Sequence, residues 1–175
     1  MDQFVFICNM PGQPEIVFDI CWNDPTHHDK VIAFWTRLKA MPPEVDPKVR
    51  ARQLVHVALD GENVAGVTTA EAVLVPDLGN QKMFSFRVLI NPDYHIPGLV
   101  DKISVLTRDY LESLFKAGKT DCIGVITRVE NQKLLKNRRE AVYRTTKLTF
   151  IGRSKDGYDL RVYYFEGAKI TIPSN

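Results

Sequence analysis

The residues of this chain whose types and spacing could do chemistry begin with Asn91 to Val100. There Asn91-Pro92 stops an alternating run and Gly98 stands directly before a helical one. At such a junction the first N–H groups of the helix lack an intrahelical acceptor, and the helix dipole adds partial positive charge. The turn is therefore suited to an anion such as diphosphate. Gly98 lets the backbone approach that anion. Pro97 removes one donor, and Val100 puts a branched side chain where a second glycine would serve better. A lone glycine before a helix is equally what an ordinary strand-to-helix turn carries.

A second concentration lies between Arg128 and Lys147, where seven basic residues face two acids in a chain whose net charge is only +2. Such a segment draws phosphate, of a cofactor or of nucleic acid, or is simply a solvated helix face. It holds no interleaved aromatic apart from Tyr143 and no reading motif, which weighs against nucleic acid. His27-His28-Asp29 has metal-ligand residue types, but adjacent side chains on a helix point about 100° apart and converge poorly. They read as a solvated helix start, and no metal is expected. Trp22, Phe34 and Trp35 read as core. Cys8, Cys21 and Cys122 are odd in number, far apart and in no CxxC pair. Neither a disulfide framework nor a zinc knuckle is expected, and a reducing, cytoplasmic setting fits.

These residues must be positioned by elements that the patterning also predicts. Glu15 to Trp22 alternates as a strand, and Thr26 to Lys39 has helical spacing. Met41 to Pro47, with three prolines, reads as a loop. Leu54 to Leu59 and Asn63 to Val75 form a hairpin about Asp60-Gly61-Glu62. Met83 to Ile90 is a further strand, and Leu99 to about Gly118 a long amphipathic helix. Cys122 to Val129 is a buried strand, so a βαβ unit spans residues 83–129. A basic helix reaches about Ala141, and Lys147 to Ile151 with Asp159 to Phe165 closes the chain as a hairpin about residues 154–157. The expected architecture is a single α/β domain over residues 1–175, with a mixed, mostly antiparallel sheet and one central parallel crossover.

Composition agrees. With 45% hydrophobic and 25% charged residues the chain has enough apolar surface to fold about one core. No apolar run reaches the roughly 18 residues that cross a bilayer, and neither a membrane partner nor a secretory signal is expected.

This element order resembles the GNAT acyltransferase superfamily over roughly Glu15 to Phe165. That family's diphosphate loop follows Q/R-x-x-G-x-G/A, and the matching register is His95-Ile96-Pro97-Gly98-Leu99-Val100. Gly98 matches strictly, His95 stands where Arg or Gln is usual but still donates, and Val100 replaces Gly or Ala. The resemblance implies acetyl-CoA as cosubstrate and an amine-bearing acceptor. It seats the pantetheine arm along Leu89 and Ile90 and the diphosphate over His95, Ile96, Gly98, Leu99 and Val100. Asn131, at the entrance of the basic helix, would touch the coenzyme, and Tyr143 would be the acid that protonates the departing thiolate. A base is not evident; Glu130 and His56 are the candidates, acting through water. Two other readings stay open: a GNAT-like binding or structural module without catalysis, and a nucleic-acid-binding protein using the basic segment. The sequence fixes neither the acceptor nor the oligomeric state, a homodimer included.

Overall fold

Strand patterning governs the architecture, in which β1 (Phe4–Ile7), β2 (Glu15–Ile20), β3 (Leu54–Asp60), β4 (Asn63–Val75), β5 (Gln81–Ile90), β6 (Gly124–Val129), β7 (Thr149–Arg153) and β8 (Asp159–Tyr164) form one sheet in the order β1-β2-β3-β4-β5-β6-β8-β7. The structure is a computed structural model, and it describes residues 4–7 and 12–172. Among the described residues four α-helices accompany the strands: α1 (His28–Leu38), α2 (Pro47–Ala51), α3 (Leu99–Lys116) and α4 (Gln132–Asn137). β5 and β6 pair in parallel through the α3 crossover, whereas β1–β2, β2–β3, β3–β4, β6–β8 and β7–β8 are antiparallel. This is the mixed α/β fold with a central βαβ crossover that the sequence implies.

Three expectations need correction. The prolines at 42, 43 and 47 do not keep the whole segment irregular, because Pro47 opens α2 and the Asp46 carboxylate accepts the Lys48 N–H at 2.8 Å. Proline at a first helical position gives up an N–H that would be unpaired anyway. The basic helix stops at Asn137, as Arg138 leaves helical backbone at φ −121° and ψ 88°. Sequence patterning also misses β1, four residues long. Cys8 lies outside the described residues.

The chain divides into two compact units. One comprises the described residues up to Ala70 together with Val88–Thr107; the other comprises Glu71–Arg87 together with Arg108 onward. In the first, apolar residues gather on both sheet faces. Val31, Phe34 and Trp35 of α1 pack with Leu54, Val57 and Leu59, while Ile16, Phe18, Ala58 and Ala65 pack with Leu99 and Ile103. Val57, Ala58 and Leu59 thus send successive side chains to opposite faces, as the strand period of two requires. In the second unit Met83, Ile123 and Val162 form a buried cluster.

His56 lies inside the first unit, 1% exposed, with Nδ1 3.0 Å from the Thr107 hydroxyl, which is itself 2.8 Å from that of Thr68. Burial pushes its imidazole down to about 4. Between that value and the ordinary one near 6.5 the unfolded chain binds more protons than the folded one. Stability is therefore complete above pH 6.5 and falls toward pH 4, by ~3 kcal/mol from this group alone. Urea unfolding at pH 7 and pH 4 should show His56→Gln losing less stability between the two than the unaltered protein, by about that amount. Equal losses would refute the assignment.

Candidate functional site

The turn from β5 into α3 is fastened before it reaches Gly98. Asn91, 3% exposed, gives its N–H to Ala65 O at 2.9 Å and its Nδ2 to Val64 O at 3.0 Å. Its Oδ1 accepts the Asp93 N–H and its carbonyl the Tyr94 N–H. Tyr94 donates its hydroxyl to Asp60 Oδ2 at 2.9 Å, and burial with that carboxylate pushes the phenol up to about 12. Ile96 and Leu99, 7% and 1% exposed, then anchor the loop in the core.

Gly98 itself is exposed, at φ +79°, and a Cβ there would meet nothing within 4 Å. The Leu99 N–H turns back to Ile96 O, and the Lys102 N–H to Gly98 O. The N–H groups of Gly98 and Val100 have no partner among the described residues. An open space bordered by two free amides at a helix start fits an anion. His95 is exposed, so its imidazole can donate there, while Val100 is half-buried and Asp101 adds an acid to the first turn. Leu89 and Ile90 close β5, and a Cβ at Gly66 of β4 would stand 3.3 Å from the Leu89 carbonyl oxygen and 2.7 Å from Ile90 Cδ1, so the two strands approach closely there.

Beside this loop, α1 and the β3–β4 turn enclose a groove of about 840 Å³ that touches Asn91 and Asp93 to Ile96 and stops short of Gly98. Its rim carries two exposed ion pairs, Lys30–Glu62 at 2.6 Å and Arg37–Asp93 at 3.4 Å. His27 is not a solvated helix start: its Nε2 lies 3.0 Å from Asp19 Oδ2, and the two side chains are 16% and 10% exposed.

In the second unit, Asn131 is the N-cap of α4. Its Oδ1 accepts the N–H groups of Lys133 and Leu134, leaving the exposed amide as its remaining donor. Asn131 therefore stands at the helix entrance that the sequence indicates. Glu130 is held by Arg128, whose Nε and Nη2 donate at 2.8 and 2.6 Å. β6 pairs with β8 as far as Val129, but the β5–β6 register consists of Phe84–Val125 and Ser85–Ile126. Among the described residues, Thr127 to Val129 thus pair with β8 and not with β5.

Tyr143 lies beyond α4, 4% exposed, with a hydroxyl that is enclosed and has no hydrogen-bond partner among the described residues. The Arg161 and Arg138 guanidinium carbons stand 3.7 and 4.2 Å from its ring centroid. Burial raises its pKa, and the two arginines oppose the rise. Buried Arg161 is the residue that sequence reasoning misses; its place between Leu160 and Val162 in a strand is the local signal, and nothing local marks its partners. Cys122 is buried and its thiol raised by burial, as a small core residue would be. Among the described residues there is no cluster that could hold a metal, and no helix is long and apolar enough to cross a membrane.

No family model and no curated protein matches the chain. Solved structures do. Arabidopsis thaliana NAA60 in complex with acetyl-CoA aligns at 16% identity over 87% of this chain and 99% of that one, with a TM-score of 0.58. The ribosomal-protein-S5-alanine acetyltransferase of Vibrio fischeri aligns at 12% identity over 95% and 100%, with a TM-score of 0.61. A GNAT-family acetyltransferase from Streptococcus pneumoniae aligns at 14% identity over 85% and 99%, with a TM-score of 0.54. The chain thus has the fold of the GNAT acetyltransferases.

Proposed function

We propose that this protein is an acetyl-CoA-dependent N-acetyltransferase that acts on an amine-bearing acceptor. The observation that carries the reading is the start of α3: on a GNAT fold, in the turn whose sequence resembles that family's diphosphate loop, Gly98 leaves open space beside amides that have no partner among the described residues. Leu89 and Ile90 at the end of β5 would hold the pantetheine arm and His95 to Val100 the diphosphate. Acetyl-CoA supplies an activated acyl group. The chain's part is to bind and orient it, with backbone N–H groups placed to polarise the thioester carbonyl.

Proton transfer is less well provided. The Tyr143 ring carries a guanidinium and its hydroxyl is enclosed, His56 is buried, and Glu130 is engaged by Arg128. These facts favour a second reading, a GNAT-fold module that binds the coenzyme or another ligand without turnover. Arg128 and Arg138 are likewise engaged within the protein, which leaves less of the basic segment for nucleic acid.

Calorimetry with acetyl-CoA separates these readings. The unaltered protein should bind, and Gly98→Trp, which fills the open space, should weaken binding at least tenfold while the fold persists by circular dichroism. No heat at millimolar acetyl-CoA would overturn the coenzyme reading. Binding without acetyl transfer to any of a panel of amines would select the non-catalytic module.

A further inference from the structure

We infer that the Tyr94–Asp60 hydrogen bond is a positioning device for the diphosphate loop; this rests on the proposed coenzyme reading and adds two residues to it. A loop whose amides must hold an anion binds better when it is fixed beforehand, because less ordering is left for the moment of binding. The eight residues between Ile90 and Leu99 are fixed at three points. Asn91 bolts their start to β4, with its side-chain amide on Val64 O and its N–H on Ala65 O. Ile96 sinks their end into the core. Between these points Tyr94 packs against the cluster that contains Leu99 and Ile103 of α3, and its hydroxyl reaches Asp60 at the end of β3.

Tyr94 therefore joins the first turn of α3 to the β3–β4 hairpin. Asp60 is its acceptor and, being a carboxylate, makes the stronger, charge-assisted kind of hydrogen bond. The phenol remains protonated through neutral pH, so the bond does not switch in that range. The neighbouring Arg37–Asp93 pair is different. Its side chains are 55% and 72% exposed, and exposed pairs contribute little to holding a loop.

The substitutions separate positioning from packing. Tyr94→Phe removes one oxygen and keeps the ring in its cluster; Asp60→Ala removes the acceptor, and Asp60→Asn keeps one. With coenzyme A as the calorimetric ligand, well below each variant's melting temperature, Tyr94→Phe and Asp60→Ala should raise Kd about tenfold. Asp60→Asn should recover most of that loss, and Arg37→Ala should leave Kd unchanged. A merely structural bond would lower the melting temperature without moving Kd at low temperature, and that result would overturn the inference alone. If the unaltered protein fails to bind coenzyme A, the coenzyme reading falls and the inference with it. An Asp60→Asn Kd equal to that of Asp60→Ala would also refute the hydrogen bond as the cause.

Discussion

Replacing Arg161 by alanine should cost about 3–5 kcal/mol, a large part of the roughly 5–15 kcal/mol by which domains of this kind are stable. Its side chain is 2% exposed. Nη1 donates to the carbonyls of Glu140, Ala141 and Leu148 at 2.9, 3.3 and 3.4 Å. Nη2 lies 3.6 Å from Asp159 Oδ2, and the guanidinium stacks on Tyr143. One cation thus ties the segment after α4, the start of β7 and its own strand β8 together. Alanine leaves those carbonyls without their donor, opens a cavity beside Tyr143, and strips Asp159 of one of two arginine partners. Arg153, Nε to Oδ1 at 3.2 Å, would remain as its other.

Arg161→Met keeps most of the volume and loses only the charge and its hydrogen bonds. Thermal and urea unfolding should place it between alanine and the unaltered protein. If alanine costs less than about 1 kcal/mol, the buried guanidinium is not what organises this region. The same arrangement explains why Tyr143 is enclosed: its ring is the platform for two arginines, and an exposed hydroxyl is not needed for that work.

How much of this was legible beforehand depends on the range of the interaction. β3, β4, β5 and α3 follow from local periodicity, because each puts a long apolar face against a core and that face repeats every two or about 3.6 residues. Asn131 is legible for the same reason, since capping is a bond to N–H groups two and three residues on. α2 is hidden because proline breaks helices everywhere except at their start. Tyr94 with Asp60, His27 with Asp19, and Arg161 with three distant carbonyls are pairings that only the folded chain creates. Each of these side chains, read alone, is an ordinary polar residue in a loop or strand. The candidate loop was legible as a motif position at Gly98, while the bonds that fix it were not.

Gly124 opens β6 opposite Tyr164 of β8, and substituting it should be nearly as damaging as losing Arg161. A Cβ there would collide with the backbone oxygen of Tyr163 and would stand 2.9 Å from Met83 Cε and 3.0 Å from Tyr164 Cα. Met83 could swing aside, but the two backbone atoms belong to the paired strand and cannot move without breaking the ladder. Gly124→Ala should therefore cost about 3 kcal/mol, the upper end of the range for overpacking, and Gly124→Val more. Gly98→Ala is the informative contrast. Its cost comes from a left-handed backbone with open space beside it, so it should lose only ~1 kcal/mol. Urea unfolding of the pair would distinguish the two causes, and a Gly124→Ala loss no greater than that of Gly98→Ala would sink the claim that β8 presses on β6. The contact matters because, among the described residues, β6 beyond Ile126 pairs with β8 and not with β5.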